Sequence, residues 1–207
     1  MNTLRILPGK LKGKIYVPTS KSQTHRAILC AAMADGLSTI ENVVLSDDIA
    51  ATIDAAEAFG AKIEKADGKR KGKLLNLRVS GSGRLLKTRH TIHCRESGST
   101  LRFSLPIALT TGEAFEFIGR RKLPSRPMEA YYKIFREKGI MYETDDGDLP
   151  LTVKGKLEAG TYRLEGNVSS QYVTGLLLAL PLLDGLSEIV LKSPLESGNY
   201  VDITLQV

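Results

Sequence analysis

Apolar residues follow small hydroxyl residues in three separate stretches of the chain. The stretches are residues 20–36, 96–112 and 169–185, and each ends at a glycine. A hydroxyl residue before an apolar run is typical of the start of a helix, and a glycine just beyond the run is typical of its end. The closing glycines lie 76 and 73 residues apart, which is too long for a solenoid repeat. The pattern therefore predicts three helices in equivalent positions of a repeated subdomain.

The residues after each of these helices also repeat in type. In the first copy, a strand-like run at 38–45 precedes a helix that Ser46 caps and Gly60 ends, and two alternating strands follow. In the second copy, a strand at 114–119 precedes a helix that ends at Gly139, and two strands follow again. The chain is therefore predicted to have an α/β fold built of β-α-β-α-β-β units.

The third copy stops early. Its strands are expected at 161–166 and 188–192, and its second helix is expected to begin near Ser197, close to the end of the sequence. We therefore predict three units, at about 20–81, 90–155 and 160–207, with the third unit truncated.

The segment 1–19 matches no part of the repeat. It contains two short apolar runs, at 4–6 and 15–18, which predict a pair of strands. We expect this strand pair to belong with a second domain that the given sequence lacks, and residues 20–207 to form the first domain.

The composition is that of a globular protein. Hydrophobic residues make up 42% and charged residues 25% of the 207 residues. No apolar run reaches the ~18 residues that span a bilayer, and the first residues lack the layout of a signal peptide. Cys30 and Cys94 are too few for a disulfide framework, and His90 and His93 are too isolated to indicate metal ligands. We therefore expect a reduced, cytoplasmic protein with no metal site.

The formal net charge is +6, and basic residues cluster at three places. The clusters are Lys10/Lys12/Lys14, Lys69-Arg70-Lys71/Lys73 and Arg120-Arg121-Lys122. Such clusters are compatible with nucleic-acid binding, but aromatic residues are only 6% of the chain and do not interleave with them. A basic cleft for small phosphorylated substrates fits the charge equally well.

The segment Ser20-Lys21-Ser22-Gln23-Thr24-His25-Arg26 is the most informative motif of the chain. It places three hydroxyls and two cations at the predicted start of the first helix. The unpaired N–H groups of a helix N-terminus, together with such neighbours, favour a phosphate or a carboxylate. The alternative is a serine-capped helix with a solvated basic first turn.

Six motifs, taken in order, resemble the 5-enolpyruvylshikimate-3-phosphate synthase family. They are Ser20-Lys21-Ser22-x-Thr24-His25-Arg26, Ser46-Asp47-Asp48, Gly98-Ser99-x-Leu101-Arg102, Arg126-Pro127-Met128, Val168-Ser169-Ser170-Gln171-Tyr172 and Tyr200-Val201-Asp202-Ile203-Thr204-Leu205. The resemblance covers almost the whole chain, and the family's own chain is roughly double the length. It implies the enolpyruvyl transferase fold: an inside-out α/β domain of three β-α-β-α-β-β units, with helices packed inward and sheets outward. It also implies that this chain is the N-terminal half.

The family's reaction transfers the enolpyruvyl group of phosphoenolpyruvate to the 5-hydroxyl of shikimate-3-phosphate and releases phosphate. The resemblance implies this function, in the shikimate pathway to chorismate and aromatic amino acids, for the complete protein. It implies no cofactor and no metal, a complete enzyme that is monomeric and a target of glyphosate, and a fragment that is inactive by itself.

The resemblance also assigns roles to particular residues. The substrate-binding residues it implies are Lys21, Ser22, Arg26, Gly98, Arg126, Ser169, Ser170, Gln171, Ser197 and Tyr200. Lys21 would contact both substrates and assist proton transfer, and is the one catalytic residue expected here. Arg126 would clamp phosphoenolpyruvate, and Gly98 would let the backbone approach it closely. The remaining residues would hold shikimate-3-phosphate, with Gln171 bridging both substrates.

Other residues near these motifs are expected to be structural. Arg102 lies on the second turn of its helix, and His25 is interpreted as a helix-surface residue rather than a catalytic base. Asp47 and Asp48 are interpreted as first-turn charges. Glu96 departs from the family pattern, since a carboxylate near an anion site is unfavourable unless it turns away or pairs with a cation such as Arg95.

Three other interpretations stay open at this stage. The related UDP-N-acetylglucosamine enolpyruvyl transferases share fold and chemistry, but they usually have Asn where this chain has Ser22, and they rely on a loop cysteine. RNA 3′-phosphate cyclases contain similar repeated units, which would make the chain a nucleic-acid-processing protein. In the third interpretation, the fragment folds but has no activity alone.

Overall fold

The computed structural model describes residues 3–10, 12–15, 17–68, 74–83, 85–86 and 88–207. Elements are numbered in chain order. The first unit contains α1 (Lys21–Met33), β1 (Asp35–Val43), α2 (Asp47–Ala58), β2 (Lys62–Asp67) and β3 (Leu75–Ser82). The second contains β4 (Thr91–Arg95), α3 (Gly98–Thr110), β5 (Phe115–Gly119), α4 (Glu129–Lys138), β6 (Met141–Asp145) and β7 (Asp148–Lys154). The third contains β8 (Thr161–Leu164), α5 (Ser170–Ala179), β9 (Glu188–Leu191) and α6 (Gly198–Gln206).

The predicted repeat is present in this order of elements. The second unit has the full β-α-β-α-β-β sequence, and the third has its first four elements. The first unit begins at α1, because the described residues before Ser20 form no strand. Their apolar side chains are exposed, with Leu4 at 84% and Val17 at 79%. The predicted strand pair is therefore not formed within the described part of 1–19. Tyr16, which belongs to one of the two predicted strands, lies outside the described residues. The pairing of this segment with a second domain stays a prediction.

Each unit forms its own small sheet. The strand orders are β1-β3-β2, β4-β5-β7-β6 and β8-β9. In the second and third units, the strand before the helix lies parallel to the strand after it, as β4 does beside β5 and β8 beside β9. In the first unit, β1 pairs with β3 on one side, and no described strand lies on its other side. The three sheets therefore have related topologies, but the sheet of the first unit lacks the parallel edge strand that the other two have among the described residues.

The helices form the interior of the domain and the sheets form its exterior. Every residue of α3 from Thr100 to Leu109 is buried, and such all-round burial is typical of a central helix. In contrast, five of the six residues of β2 are exposed. The inside-out arrangement of the enolpyruvyl transferase fold is thus confirmed.

Close contact between α3 and α5 explains two unusual residues. Pro106 lies inside α3, where its missing N–H leaves the carbonyl of Arg102 without its helical partner. The hydroxyl of Tyr131 donates to that carbonyl at 2.7 Å. Gly175 of α5 faces the same point, and a Cβ built there would lie 2.2 Å from the Tyr131 oxygen. Because Gly175 has no side chain, α5 can lie close against α3 at this point.

Candidate functional site

Four helix N-termini open onto one cavity of about 500 Å³. The helices are α1, α3, α5 and α6, and the segment before α4 contributes Arg126. All ten of the predicted site residues line this cavity: Lys21, Ser22, Arg26, Gly98, Arg126, Ser169, Ser170, Gln171, Ser197 and Tyr200. The structure therefore brings together residues that are up to 179 positions apart in sequence.

The start of α1 supplies an ammonium group that is held by a carboxylate. Ser20 caps the helix, and its Oγ accepts a hydrogen bond from the backbone N–H of Gln23 at 3.3 Å. The Nζ atom of Lys21 lies 2.5 Å from Oδ2 of Asp48, at the start of α2. Because the Lys21 side chain is 57% exposed, this ammonium is accessible from the cavity while Asp48 restricts its position.

Most of the hydrogen-bond donors of Arg26 are used within the domain. Its Nε donates to Thr204 Oγ1 at 2.7 Å, and its Nη2 donates to Thr174 Oγ1 and to the carbonyl of Tyr200. Its Nη1 donates to the carbonyl of Ser22 at 2.7 Å. Four of the five guanidinium N–H groups therefore have partners that tie α1 to α5 and α6. Arg26 lines the cavity, but it can offer an anion only the fifth N–H without rearrangement.

The facing starts of α3 and α5 form a polar cradle around Gly98. Arg102 Nη1 donates to Gln171 Oε1 at 2.6 Å, and Gln171 Nε2 donates to Ser99 Oγ at 3.0 Å. A Cβ built on Gly98 would lie 2.7 Å from Nη1 of Arg126 and 3.2 Å from Nη1 of Arg102. The absence of a side chain at Gly98 therefore keeps two guanidinium groups close to the backbone of the helix start.

The third unit contributes hydroxyl groups to the opposite wall. Ser169 caps α5, and its Oγ accepts from the N–H of Gln171 at 3.3 Å, while Ser170 is buried beside it. Ser197 precedes α6 in a left-handed backbone conformation, with φ at 57°. Its side chain makes no capping hydrogen bond to the first N–H groups of α6.

The cavity also contains residues that the sequence analysis did not predict for the site. These are Asp48, Glu96, Ser99, Phe103, Val168 and Glu196. Asp48 is a first-turn charge as expected, but its bond to Lys21 gives it a second role. Arg102 is structural as expected, yet its bonds to Gln171 and to the Pro127 carbonyl make it a support of the cavity wall. The sequence feature that could have indicated a role for Asp48 in the site was its place in the Ser46-Asp47-Asp48 motif.

Glu96 pairs with a different cation from the expected one. Its Oε1 lies 3.0 Å from Arg121 Nη1 and 3.8 Å from Arg120 Nε. Arg95, the suggested partner, instead contacts Asp47 at 2.9 Å and Asp54 at 3.0 Å. Hydrogen bonds from Arg95 and Arg120 lower the pKa of Asp47. The negative charge of Glu96 is therefore balanced by Arg120 and Arg121, which belong to the loop that leads to Arg126.

The interpretation of His25 as a surface residue was wrong. Its side chain is 1% exposed, and its Nδ1 lies 2.6 Å from Thr52 Oγ1. Its ring meets the ring of Phe103 edge-on. Burial lowers its pKa from 6.5 to about 4, so the imidazole is neutral at pH 7. The sequence missed this because both neighbours come from other helices.

Neither a metal cluster nor a membrane helix is found where the structure is described. No group of three or more His, Cys, Asp and Glu side chains converges among those residues. None of the described helices combines the length and apolarity needed to cross a bilayer. Cys94 is fully buried and Cys30 is half-buried, as expected of small hydrophobic residues.

Comparisons with known proteins find a family model and several relatives that match this chain. The family model described as EPSP synthase (3-phosphoshikimate 1-carboxyvinyltransferase) matches residues 7–207. A 3-phosphoshikimate 1-carboxyvinyltransferase of Clostridium beijerinckii is 48% identical over 206 residues, which are 100% of this chain and 47% of that protein. The corresponding protein of Clostridium kluyveri is 47% identical over 207 residues, again 100% of this chain and 47% of that protein.

A solved structure shares the fold. The EPSP synthase of Acinetobacter baumannii superposes with a TM-score of 0.73 at 28% identity, over 93% of this chain and 43% of that one. The chain therefore spans about half the length of the relatives it matches.

Proposed function

Because the chain belongs to the EPSP synthase family, we propose that it is the N-terminal half of a 3-phosphoshikimate 1-carboxyvinyltransferase. The complete enzyme would transfer the enolpyruvyl group of phosphoenolpyruvate to the 5-hydroxyl of shikimate-3-phosphate, with release of phosphate. It would do so without a metal or redox cofactor, as a cytoplasmic monomer in the shikimate pathway to chorismate and aromatic amino acids.

The observation that carries this proposal is the convergence of helix N-termini and cations on one cavity. Both substrates carry a phosphate and a carboxylate. Helix N-termini and guanidinium groups are the features that proteins use to bind such anions. Four N-termini, Lys21, Arg26 and Arg126 line this cavity, so it is suited to two anionic substrates held side by side.

We assign the wall formed by the third unit to shikimate-3-phosphate. Ser169, Ser170 and Ser197 lie at helix starts, where hydroxyls and backbone N–H groups can share a phosphate. Ser22 and the remaining N–H of Arg26 would meet the carboxylate, with Tyr200 beside them. These assignments rest on the family motifs and on the shared cavity.

We assign the wall around Gly98 to phosphoenolpyruvate. Arg126 would clamp its phosphate or carboxylate with a planar fork, and the bare backbone at Gly98 would allow close approach. Gln171 would bridge both substrates, because Arg102 and Ser99 fix the orientation of its amide.

Lys21 would serve as the proton carrier on this half of the site. In the reaction, C3 of the enol gains a proton while the 5-hydroxyl oxygen bonds to C2 and loses its proton. The adduct then loses phosphate from C2 and a proton from C3, which restores the double bond. An ammonium group held at 2.5 Å by Asp48 can stabilise the phosphate charge and exchange a proton with a substrate oxygen. The groups of the other half would complete the acid and base pair.

The alternative of a nucleic-acid-processing protein finds little support in the charges. In the cluster Arg120-Arg121-Lys122, both arginines are paired with the carboxylates of Asp47 and Glu96, so this cluster is not a bare cationic surface. The cluster at 69–73 lies outside the described residues. Steep salt dependence of binding to random oligonucleotides would favour this alternative.

The proposal predicts unequal binding by the 207-residue chain. Most contacts assigned to shikimate-3-phosphate are present in this half, so calorimetry should detect weak binding of that substrate and barely any of phosphoenolpyruvate. Ser169→Ala/Ser170→Ala should weaken the binding, while Ser125→Ala, outside the lining residues, should not. Tighter binding of phosphoenolpyruvate would contradict the assignment of the two walls.

The same chain should have no transferase activity alone. The resemblance implies a site shared between two halves, so half of the charged groups would be missing. Phosphate release from the two substrates should equal that of Lys21→Ala. Release above that control would show that the chain is sufficient for catalysis.

A further inference from the structure

A buried chain of hydroxyl groups connects the starts of three helices behind the cavity. His25 Nδ1 lies 2.6 Å from Thr52 Oγ1, and Thr52 Oγ1 lies 2.7 Å from Thr100 Oγ1. Thr100 Oγ1 in turn donates to Ser97 Oγ at 2.8 Å. His25 belongs to α1, Thr52 to α2, and Thr100 to α3, which Ser97 caps. Thr52 is 0% exposed, so water cannot replace these bonds.

The direction of the chain follows from the number of protons. Thr100 has one hydroxyl proton and gives it to Ser97. With that direction, Thr52 donates to Thr100 at 2.7 Å, which is shorter than its other contact as a donor, to the Asp48 carbonyl at 3.3 Å. His25 is then the donor to Thr52, so its Nδ1 carries the proton and its Nε2 carries a lone pair. Nε2 is buried and has no partner among the described atoms, and a bare acceptor there costs less than an unpaired N–H.

The chain ends at the wall of the cavity assigned to phosphoenolpyruvate. Ser97 Oγ also accepts from the backbone N–H of Thr100 at 3.1 Å, which fixes the first turn of α3. Gly98 and Ser99 lie between these two residues and line the cavity. The carbonyl of Asp48 lies 3.3 Å from Thr52 Oγ1 and 3.4 Å from Thr100 Oγ1, and the side chain of Asp48 holds Lys21.

We propose that Thr52 is a positioning residue: through His25, Thr100 and Ser97 it fixes the start of α3 relative to Lys21. It touches neither the cavity nor a substrate. It acts by holding Gly98 and Ser99 at the distance from the Lys21–Asp48 pair that an anion bound between them needs. This role rests on the proposed function of the cavity.

The first test requires no ligand. In the 207-residue chain, ¹⁵N shifts of the imidazole should show the Nδ1–H tautomer of His25. Thr52→Val keeps the shape but removes the acceptor, so the tautomer should shift towards Nε2–H, and the amide signals of Gly98 and Ser99 should move more than that of Ser170. Thr52→Ser should restore the wild-type spectrum. An Nε2–H tautomer in the wild type, or an unchanged one in Thr52→Val, would overturn the proposal.

The second test uses inorganic phosphate as the probe. Thr52→Val should weaken the response of the Gly98 and Ser99 amides by about fivefold, the equivalent of one neutral hydrogen bond, without weakening that of Ser170. Thr88→Val is the matched control, because the Thr88 hydroxyl bonds the Glu57 and Ala58 carbonyls at the other end of α2. Equal losses at both helix starts would show a general structural defect and overturn the positioning role. If phosphate does not bind the wild type, the proposed function is weakened, and the tautomer and amide shifts still decide the role of Thr52.

Discussion

At the scale of single residues, His25 couples the stability of the chain to pH. Its pKa is lowered to about 4 chiefly by burial; Lys21 and Arg26 add to the lowering, and Asp48 opposes it. The unfolded chain, with a histidine pKa near 6.5, binds more protons than the folded chain between about pH 6.5 and pH 4. The stability that His25 contributes is therefore complete above this range and is lost as the pH falls through it.

We expect the free energy of unfolding to fall by about 2 kcal/mol more in the wild type than in His25→Asn between pH 7 and pH 5. Asparagine retains an N–H for Thr52 but has no titrating group. His93→Asn, at an exposed position, should behave like the wild type. Denaturant unfolding at the two pH values measures the difference, and equal losses in wild type and His25→Asn would refute this account.

At Gly98, the addition of one methyl group should affect the KM values of the two substrates differently. In Gly98→Ala the new Cβ would approach Arg126 Nη1 to 2.7 Å, and a long flexible side chain can move away at little cost. Stability should therefore change by at most ~1 kcal/mol. In the full-length enzyme, KM for phosphoenolpyruvate should rise and glyphosate, as a bulkier competitor, should weaken more, while KM for shikimate-3-phosphate barely changes. Equal losses for both substrates would show that Gly98 is a packing residue.

The residues of the cavity could be predicted from the sequence, but most of their contacts could not. Local chemistry indicated hydroxyls and cations at helix starts, whereas the list of ten residues came from the resemblance of the motifs to the family, and all ten line the cavity. The bond from Arg26 to Thr204 spans 178 positions, and the pairing of Glu96 with Arg121 depends on a loop conformation. The burial of His25 likewise depends on Thr52 and Phe103, which no local pattern reveals.

At the scale of elements, the contact between α3 and α5 leaves no room for a side chain at Gly175. A Cβ at Gly175 would lie 2.3 Å from the Arg102 carbonyl as well as 2.2 Å from the Tyr131 oxygen. Since one of these is a backbone atom, the helices would have to separate. The Tyr131 bond that satisfies the carbonyl freed by Pro106 would weaken with them.

We therefore expect Gly175→Ala to destabilise the chain by about 2–3 kcal/mol, which corresponds to a fall in Tm of roughly 5–10 °C. Gly9→Ala serves as the control, because a Cβ there meets nothing within 4 Å. Thermal melts followed by circular dichroism measure both variants. A Gly175→Ala variant that melts like Gly9→Ala would mean that α3 and α5 adjust without cost.

Element boundaries followed from local chemistry, whereas strand partners did not. The predicted strands at 161–166 and 188–192 correspond to β8 and β9, and the helix predicted to end at Gly60 ends at Ala58. Caps and closing glycines mark such limits directly in the sequence. The parallel pairing of β4 with β5 has no such mark, because it depends on how α3 returns the chain across the sheet.

At the scale of the whole molecule, the three units contribute helices to a shared interior. The three units follow one order of elements, and buried residues of all three pack into one core cluster, while a second cluster lies within the first unit. The exposed apolar residues of the N-terminal segment, among them Leu4, Ile6 and Val17, find no surface to cover in the described chain. Such residues are costly in water, so the segment is expected to pack elsewhere in the complete protein.

The one-sided pairing of β1 has a consequence for hydrogen exchange. Strand β5 has β4 on one side and β7 on the other, so its backbone amides are bonded in both directions. In β1, the amides that point away from β3 face no described strand. We expect every second amide of β1 between Asp35 and Ile40, where the pairing with β3 is regular, to exchange with deuterium at close to the rate of an unfolded peptide, while those of β5 are protected by orders of magnitude.

Exchange measured by NMR on the 207-residue chain would show this two-residue rhythm directly. Uniform protection along β1 would mean that another segment already occupies its outer side. If the alternation is observed, the outer edge of β1 has free hydrogen-bonding groups. A further strand, from the rest of the protein or from a neighbouring molecule, can then pair with β1 and extend the sheet without breaking a hydrogen bond within it.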